Sequence, residues 1–447
     1  MRLSILLILP PLAISWAAAL PAAETWPQFR GPGAEGKATT NAPLTWSATE
    51  NIAWKTALPG KGWSSPVISA DRIWLTTAIE SPISPEEARR RIDMAKGYKG
   101  DLKAAGPVSL RLISLDRRTG RQLYDVELFH VETPDALHKI NSYASPTPVL
   151  EGDRIYCHFG TYGTAAVDAQ SGRILWTRRF EIDHIVGPGS SPVLYGNLLI
   201  LTCDGGDKQY LVAVEKQTGK TVWQTDRPPI DAKDGDMRKS FCTPLIVNDG
   251  TRVQMIVPGA QWLVSYDPRT GKEHWRLNHG RGFSLVPRPV YGQGMVYFCT
   301  GFGKAKLLAV RTDGQGDVSG THVAWESDRQ IALRPSPLLH DGLLYIISDT
   351  GVATCCDAAS GKVEWTKRIA GNYSASPLLV DGRIYFFSED GKTTVIKAGK
   401  KFEELAVNTL DDGCMASAAA LEGALYVRTR GFLYRIQQPS TATAMAK

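Results

Sequence analysis

Residues 374–392 read SASPLLVDGRIYFFSEDGK, and residues 333–352 read LRPSPLLHDGLLYIISDTGV. The two stretches share a Ser-Pro step, an apolar run, an Asp-Gly turn and a second apolar run. An echo at a fixed interval marks a repeat architecture, in which each unit buries its apolar faces only against its neighbours. Working outward, the Ser-Pro anchor recurs with Pro66, Pro148, Pro192, Pro244, Pro289, Pro337 and Pro377, and in degenerate form at Ala419. A second anchor lies later in each unit: DRRTGRQLY from Asp116, DAQSGRILW from Asp168, EKQTGKTVW from Glu215, DPRTGKEHW from Asp267 and DAASGKVEW from Asp357. Its acid accepts backbone hydrogen bonds, its Gly takes positive φ, and the aromatic residue that follows has a large surface to bury.

Between the anchors, GRIYFFS, NLLILTC and YLVAVE are short, β-branched or aromatic, and bounded by Gly, Asp or Pro, so each unit holds about four strands. Such units fit the blades of a propeller. The last unit stops at GFLYRIQ with no Trp strand, whereas NIAWKT, with Trp54, stands before the first anchor without a unit of its own. The expected fold is all-β, an eight-bladed β-propeller whose N-terminal strand completes the blade containing Ala419–Gln437 and leaves no open edge. Trp176, Trp223, Trp275 and Trp365 are expected to pack between blades. Unit one swells with SPEEARRRIDMAKGYKG, where Ser84 and Glu87 form a capping box, Pro85 suits the first helical position and Gly97 a stop.

The chain has 447 residues, 43% of them hydrophobic, which excludes a mainly disordered protein. Its start, MRLSILLILPPLAISWAAALPAAE, reads as a secretory signal peptide over 1–23 without a cysteine for a lipid anchor. Residues 24–50 then form an extension, 51–438 the propeller and 439–447 a tail. The formal net charge of +6, less Arg2, is too small to argue for nucleic acid. No later apolar stretch is long enough to span a membrane. An exported protein, periplasmic or extracellular, is expected.

The repeated SPV, IY and D-A-x-T-G-x-x-x-W pattern resembles the PQQ-like (pyrroloquinoline-quinone-type, tryptophan-docking) propeller repeat. The opening WPQFRGPGAEG, from Trp26, resembles the start of exported PQQ-like repeat proteins. That superfamily includes quinone-dependent alcohol and sugar dehydrogenases and the non-catalytic propeller subunit of the outer-membrane barrel-assembly machine, so fold alone does not choose the function.

In an antiparallel blade, the loop entering the innermost strand shares a face with the loop between the second and third strands. The entering loops converge on the central channel and carry Lys61, Trp63, Tyr143, Arg238, Lys239, Phe241, Arg288, Arg334 and Tyr373. Cationic and aromatic side chains together suit a planar anion, since guanidinium forks match carboxylates and aromatic faces stack on flat ligands. The resemblance implies further parts for a dehydrogenase: a carboxylate base and, in many members, oxygen ligands for Ca²⁺. The entering loops offer no carboxylate near their prolines until Asp412, and DAKDGD, from Asp231, reads as a solvated turn. No catalytic base is assigned. His138, His184 and His279 lie in loops without a nucleophile partner at recognisable spacing. Among the seven cysteines, Cys355 and Cys356 are adjacent in a predicted strand, which points them to opposite faces and argues against a vicinal disulfide.

Two functions follow. One is a non-catalytic exported module that needs no cofactor and binds a protein, a peptide or a small planar anion at the loop face. The other is a quinoprotein oxidoreductase using PQQ with Ca²⁺.

Overall fold

The computed structural model describes residues 25–439 except 96, 97 and 99. The expected signal segment, Gly97 and all of the expected tail beyond Pro439 lie outside the described residues. Eight sheets of four or five strands follow one another along the chain, each running from an inner strand after a Ser-Pro anchor to an outer strand. Ile52–Ala57 pairs antiparallel with Phe432–Gln437, Trp54 facing Arg435, so the first long strand completes the eighth blade. The eighth anchor is one residue earlier than the sequence suggested. Its inner strand begins at Ala419, which makes Ser417-Ala418 the counterpart of Ser-Pro.

Each outer-strand aromatic docks on the Gly turn of the next blade. Trp54, Trp176, Trp325 and Trp365 donate through Nε1 to the carbonyls of Arg117, Lys216, Ala358 and Gly399 at 3.1, 3.0, 2.9 and 3.0 Å. At Gly361, φ is +71° and a Cβ would stand 2.7 Å from the Trp325 ring, so both the turn and the stacked indole require glycine there. In blade one, Tyr124 replaces the Trp and sends its hydroxyl to the Ala169 carbonyl at 3.1 Å, reproducing the contact with an oxygen. Trp223 stacks its ring on Gly271, but its buried Nε1 has no hydrogen-bond partner among the described residues. Trp275 differs because unit five lacks the turn. Fully buried between blades four and five, it donates to Gln254 of its own blade at 2.9 Å and is covered by Gly316–Asp317, which adds a parallel strand. Cys355 and Cys356 enter different apolar clusters on the two faces of blade six, and all seven cysteines are free and buried.

The residue before each proline welds the blades around the channel. Ser65 N donates to Thr147 Oγ1, Thr147 N to Ser191 Oγ and Ser191 N to Thr243 Oγ1, at 2.9 to 3.0 Å. A second run goes from Arg288 N to Ser336 Oγ, Ser336 N to Ser376 Oγ and Ser376 N to Ser417 Oγ, at 2.9 to 3.0 Å. Arg288 stands where the other blades have a hydroxyl, and the relay is interrupted there. Its buried guanidinium bridges the gap by donating to the Pro244 carbonyl at 2.7 and 3.1 Å. At the other gap, between blades eight and one, buried Arg428 donates to the Ser64 and Thr76 carbonyls at 3.1 and 2.9 Å.

The extension before the propeller crosses it. Trp26 pairs with Ile68 of blade one, the Pro27 carbonyl accepts from Leu150 of blade two, the Phe29 carbonyl from Arg288 of blade five, and Lys37–Ala38 pairs parallel with blade seven. Residues 26–38 therefore close the channel with backbone.

Candidate functional site

Above that plug the entering loops enclose a funnel of about 400 Å³. Its floor carries Phe29 and the relay hydroxyls Ser65, Thr147, Ser191, Thr243, Ser376 and Ser417, and its walls include Trp63, Ile140, Val186, Phe241, Phe283 and Phe302. Of the residues expected at the mouth, Trp63, Lys239, Phe241 and Arg334 meet there. Trp63 is held edge-on by its Nε1, which donates to the Ile140 carbonyl at 2.9 Å. Lys61 stays on the rim, its Nζ 5.2 Å from the Trp63 ring centre. Burial, and the Lys103 ammonium beside it, push its pKa down to about 8.

The other expected residues stand elsewhere. Tyr143 and Tyr373 are fully buried, their hydroxyls donating to the Asp135 and Ala370 carbonyls at 2.7 Å. They point between blades because an aromatic at those loop positions packs under the neighbouring strand ends rather than into water. Arg288 is buried in the relay, and Arg238 is half-buried on a short helical turn, Gly235–Arg238, away from the funnel wall.

The cations that do reach the funnel are already paired. Arg334 donates from Nε to Asp349 Oδ2 at 2.6 Å, and from Nη1 to Glu389 Oε1 at 2.9 Å and Ser374 Oγ at 2.7 Å. Lys239, almost wholly buried, is paired with Asp236 and lies 5.5 Å from the Tyr98 ring centre. Burial pushes its ammonium down while Asp236 draws it back up. Sequence reasoning missed Asp349 and Glu389 because it searched only the entering loops. Both acids sit in the turns between second and third strands, on the same face, in the SDT and SED triplets. DAKDGD is not simply a solvated turn, since its Asp236 neutralises Lys239. Tyr98 comes from blade one's insertion, whose helix α1, Pro85–Met94, is capped by Ser84 Oγ accepting from Glu87 N at 3.1 Å, and His138 from the loop that enters blade two. The Glu87 side chain pairs with Arg90 and Arg91 instead of returning to the cap.

His184 accepts from Thr161 N at 3.1 Å, and His279 bonds the Gly259 carbonyl at 2.9 Å. Both serve local structure, whereas His138 lines the funnel.

The family model described as outer membrane protein assembly factor BamB matches residues 87–256 and 314–401, more than half of the chain. The chain belongs to this family. Among curated proteins it is 26% identical over 264 residues to the quinoprotein ethanol dehydrogenase of Pseudomonas putida, covering 54% of this chain and 39% of that one. It is 24% identical over 292 residues to BamB of Yersinia pestis, covering 58% and 70% respectively. The chain thus spans well under two thirds of the dehydrogenase's length. Two solved structures share the fold. Quinohemoprotein alcohol dehydrogenase from Comamonas testosteroni superposes with a TM-score of 0.63 at 11% identity, over 93% of this chain and 81% of that one. BamB from Moraxella catarrhalis gives 0.52 at 13%, over 80% and 98%. This member of the BamB family is therefore a PQQ-like propeller related to both groups.

Proposed function

We propose that this protein is an exported, non-catalytic binding module that holds a protein or peptide partner by apolar side chains inserted into the funnel. One observation carries the reading: the funnel's walls are aromatic and aliphatic while its charges are internally paired. A charged ligand would have to break those pairs, whereas an apolar side chain is transferred from water into a preformed apolar site. Ile140 and Phe302 extend the same character to the rim, exposed by 40% and 38%. The family's name and the apolar start of the chain support export and a protein partner.

A calcium-bridged PQQ does not fit the residues present. Its carboxylates would need free cations, but Arg334 is committed to Asp349 and Glu389, and Lys239 to Asp236. Among the described residues no three His, Cys, Asp or Glu side chains gather as a metal site. The small planar anion considered from sequence meets the same obstacle in the funnel.

The test selects peptides from a random displayed library on the purified protein, then measures their affinity for Ile140→Lys and Phe302→Lys. Aromatic and aliphatic anchors are expected, with affinity falling about tenfold or more in the double variant, about 1.4 kcal/mol. Peptides that bind the variant equally well would remove the site from the funnel. A bound-quinone absorbance after adding PQQ and Ca²⁺, with alcohol-dependent dye reduction, would replace this reading by the oxidoreductase one.

A further inference from the structure

Beneath the funnel floor the channel contains two buried arginines. Arg30, from the plug, is 2% exposed, as is Arg288. Neither makes an ion pair with a carboxylate among the described residues. Arg288 spends its donors on the Pro244 and Phe29 carbonyls. Arg30 uses only Nη2, which donates to the Glu35 and Pro337 carbonyls at 2.7 and 2.8 Å. Its Nε and Nη1 are buried with no protein partner among the described residues. A buried guanidinium with unspent N–H groups is costly to keep unless something accepts from it.

The surroundings supply more donors, and the acceptors at hand are backbone carbonyls on the Nη2 side. Pro337 directly follows Ser336, and Arg30 Nη2 is 2.8 Å from where a Cβ on Gly36 would stand, with the Pro377 carbonyl 3.2 Å from that point. The guanidinium therefore sits beside the two relay positions Ser336 and Ser376. Each of these hydroxyls accepts a backbone N–H, from Arg288 and Ser336 respectively, and neither donates to an acceptor among the described residues. Hydroxyl protons are free to rotate toward a ligand. Two buried guanidiniums, one of them with unspent N–H donors, thus stand near two relay serines with unspent O–H groups, and neither guanidinium is in an ion pair with a carboxylate among the described residues. Arg428, at the other gap, also has an unpartnered buried Nε, but its Nη1 already serves three acceptors of blade one.

Arg30 is also held in an uncommon backbone conformation, with φ at +66°. A non-glycine residue held there is strained and persists where the surroundings fix it. Gly31 beside it cannot carry a Cβ, which would fall 2.6 Å from the Trp26 ring. The knot of residues 26–36 thus delivers the guanidinium to the channel axis. Burial, with Arg288 close by, pushes the Arg30 pKa down to about 9, while the Glu35 carboxylate draws it back up.

We propose that the throat of the propeller, between the plug and the hydroxyl relay, binds a small inorganic anion of halide size. Arg30 Nε and Nη1 and the hydroxyls of Ser336 and Ser376 donate to it, and Arg288 contributes its charge. Apart from Ser376, which also lines the funnel floor, this site uses residues outside the funnel.

The experiment uses chloride and bromide as probes on the full folded protein. Crystals grown with bromide as the halide should show an anomalous peak within hydrogen-bonding distance of Arg30 Nε. In solution at constant ionic strength, with gluconate as the bulky replacement, the melting temperature of the wild type should rise with chloride concentration. Arg30→Lys keeps the charge but loses the fork, and should weaken apparent chloride affinity about tenfold. A throat with no anomalous peak in wild-type crystals would overturn the proposal. So would the same chloride dependence in Arg30→Lys as in wild type, and the anomalous peak in wild-type crystals decides the matter if that variant fails to fold.

Discussion

Tyr124→Phe removes one oxygen atom from the boundary between blades one and two. The Tyr124 hydroxyl accepts from Trp74 Nε1 at 2.8 Å and donates to the Ala169 carbonyl at 3.1 Å. Burial pushes its pKa up to about 12, which keeps the donor proton in place at neutral pH. Because the ring stays, the cavity contribution is small and the effect isolates the hydrogen bonds. Ala169 keeps a second donor, Arg72 Nη1 at 3.5 Å, but Trp74 is 2% exposed and its indole N–H loses its acceptor. An orphaned buried donor costs about 1–3 kcal/mol, and that is the expected loss. The informative comparison is Tyr124→Trp, which restores the aromatic residue found at this position in other blades. Indole has a donor and no acceptor, so Trp74 stays orphaned and the variant should be destabilised as well. Urea titration followed by fluorescence measures both as midpoint shifts at constant slope. A loss below about 0.5 kcal/mol in Tyr124→Phe, or a gain in Tyr124→Trp, would refute the hydroxyl as the acceptor that Trp74 needs.

Arg334→Met should cost about 2 kcal/mol by leaving Asp349 and Glu389 without their cation, and adding Asp349→Asn and Glu389→Gln should recover most of it. A single variant as stable as wild type would contradict the internal pairing of the funnel's charges. His158 is 3% exposed, bonded to Thr164 at 2.8 Å, and its pKa is pushed down to about 3 by burial and by neighbouring His184. The unfolded chain takes up that proton near pH 6.5, so stability is full above it and lost as pH falls from about 6.5 toward 3, by about 5 kcal/mol in all. Denaturant midpoints at several pH values should show a shallower acid slope in His158→Gln; an identical slope would exclude His158 as the source. The seven cysteines should resist aqueous thiol reagents in the native state and react once unfolded, since burial pushes thiols such as Cys355 and Cys356 up to about 12. A bridged 355–356 peptide in thiol-blocked, non-reducing mass spectrometry would contradict their placement on opposite faces.

The blades and their closure were legible because both anchors are local chemistry repeated in register: a turn that needs Gly, an aromatic that needs a dock, and a strand that needs a partner. The site was legible only in part, because a loop position names a neighbourhood and not a direction. Tyr143 and Tyr373 occupy the expected loops yet turn inward, where their rings are buried and their hydroxyls find carbonyls. Arg288 shares an alignment column with Ser65, Thr147 and Ser336, so its column marked it as a substituted relay member rather than a mouth residue. The Ser of Ser-Pro was visible as a letter, but its bond to the next blade joins residues about forty or more positions apart. Phe29 left no signal, since the extension carries no repeat to align it with. Asp349 and Glu389 were visible as acids, and only the fold brings them to Arg334.

The hydroxyl relay has two interruptions, and their positions have a mechanical meaning. One falls between blades four and five, the other between blades eight and one, diametrically across an eight-bladed disc. The molecule is thus two half-discs of four consecutive blades, each with an unbroken internal chain of hydrogen bonds. Along both seams, long arginine side chains reach across to carbonyls in place of short hydroxyls. A long side chain keeps its hydrogen bonds over a wider range of separations than a hydroxyl fixed one bond from Cβ. The most accommodating contacts between blades therefore lie on one diameter, with the first and last long strands meeting near one pole and the passage from blade four to blade five at the other.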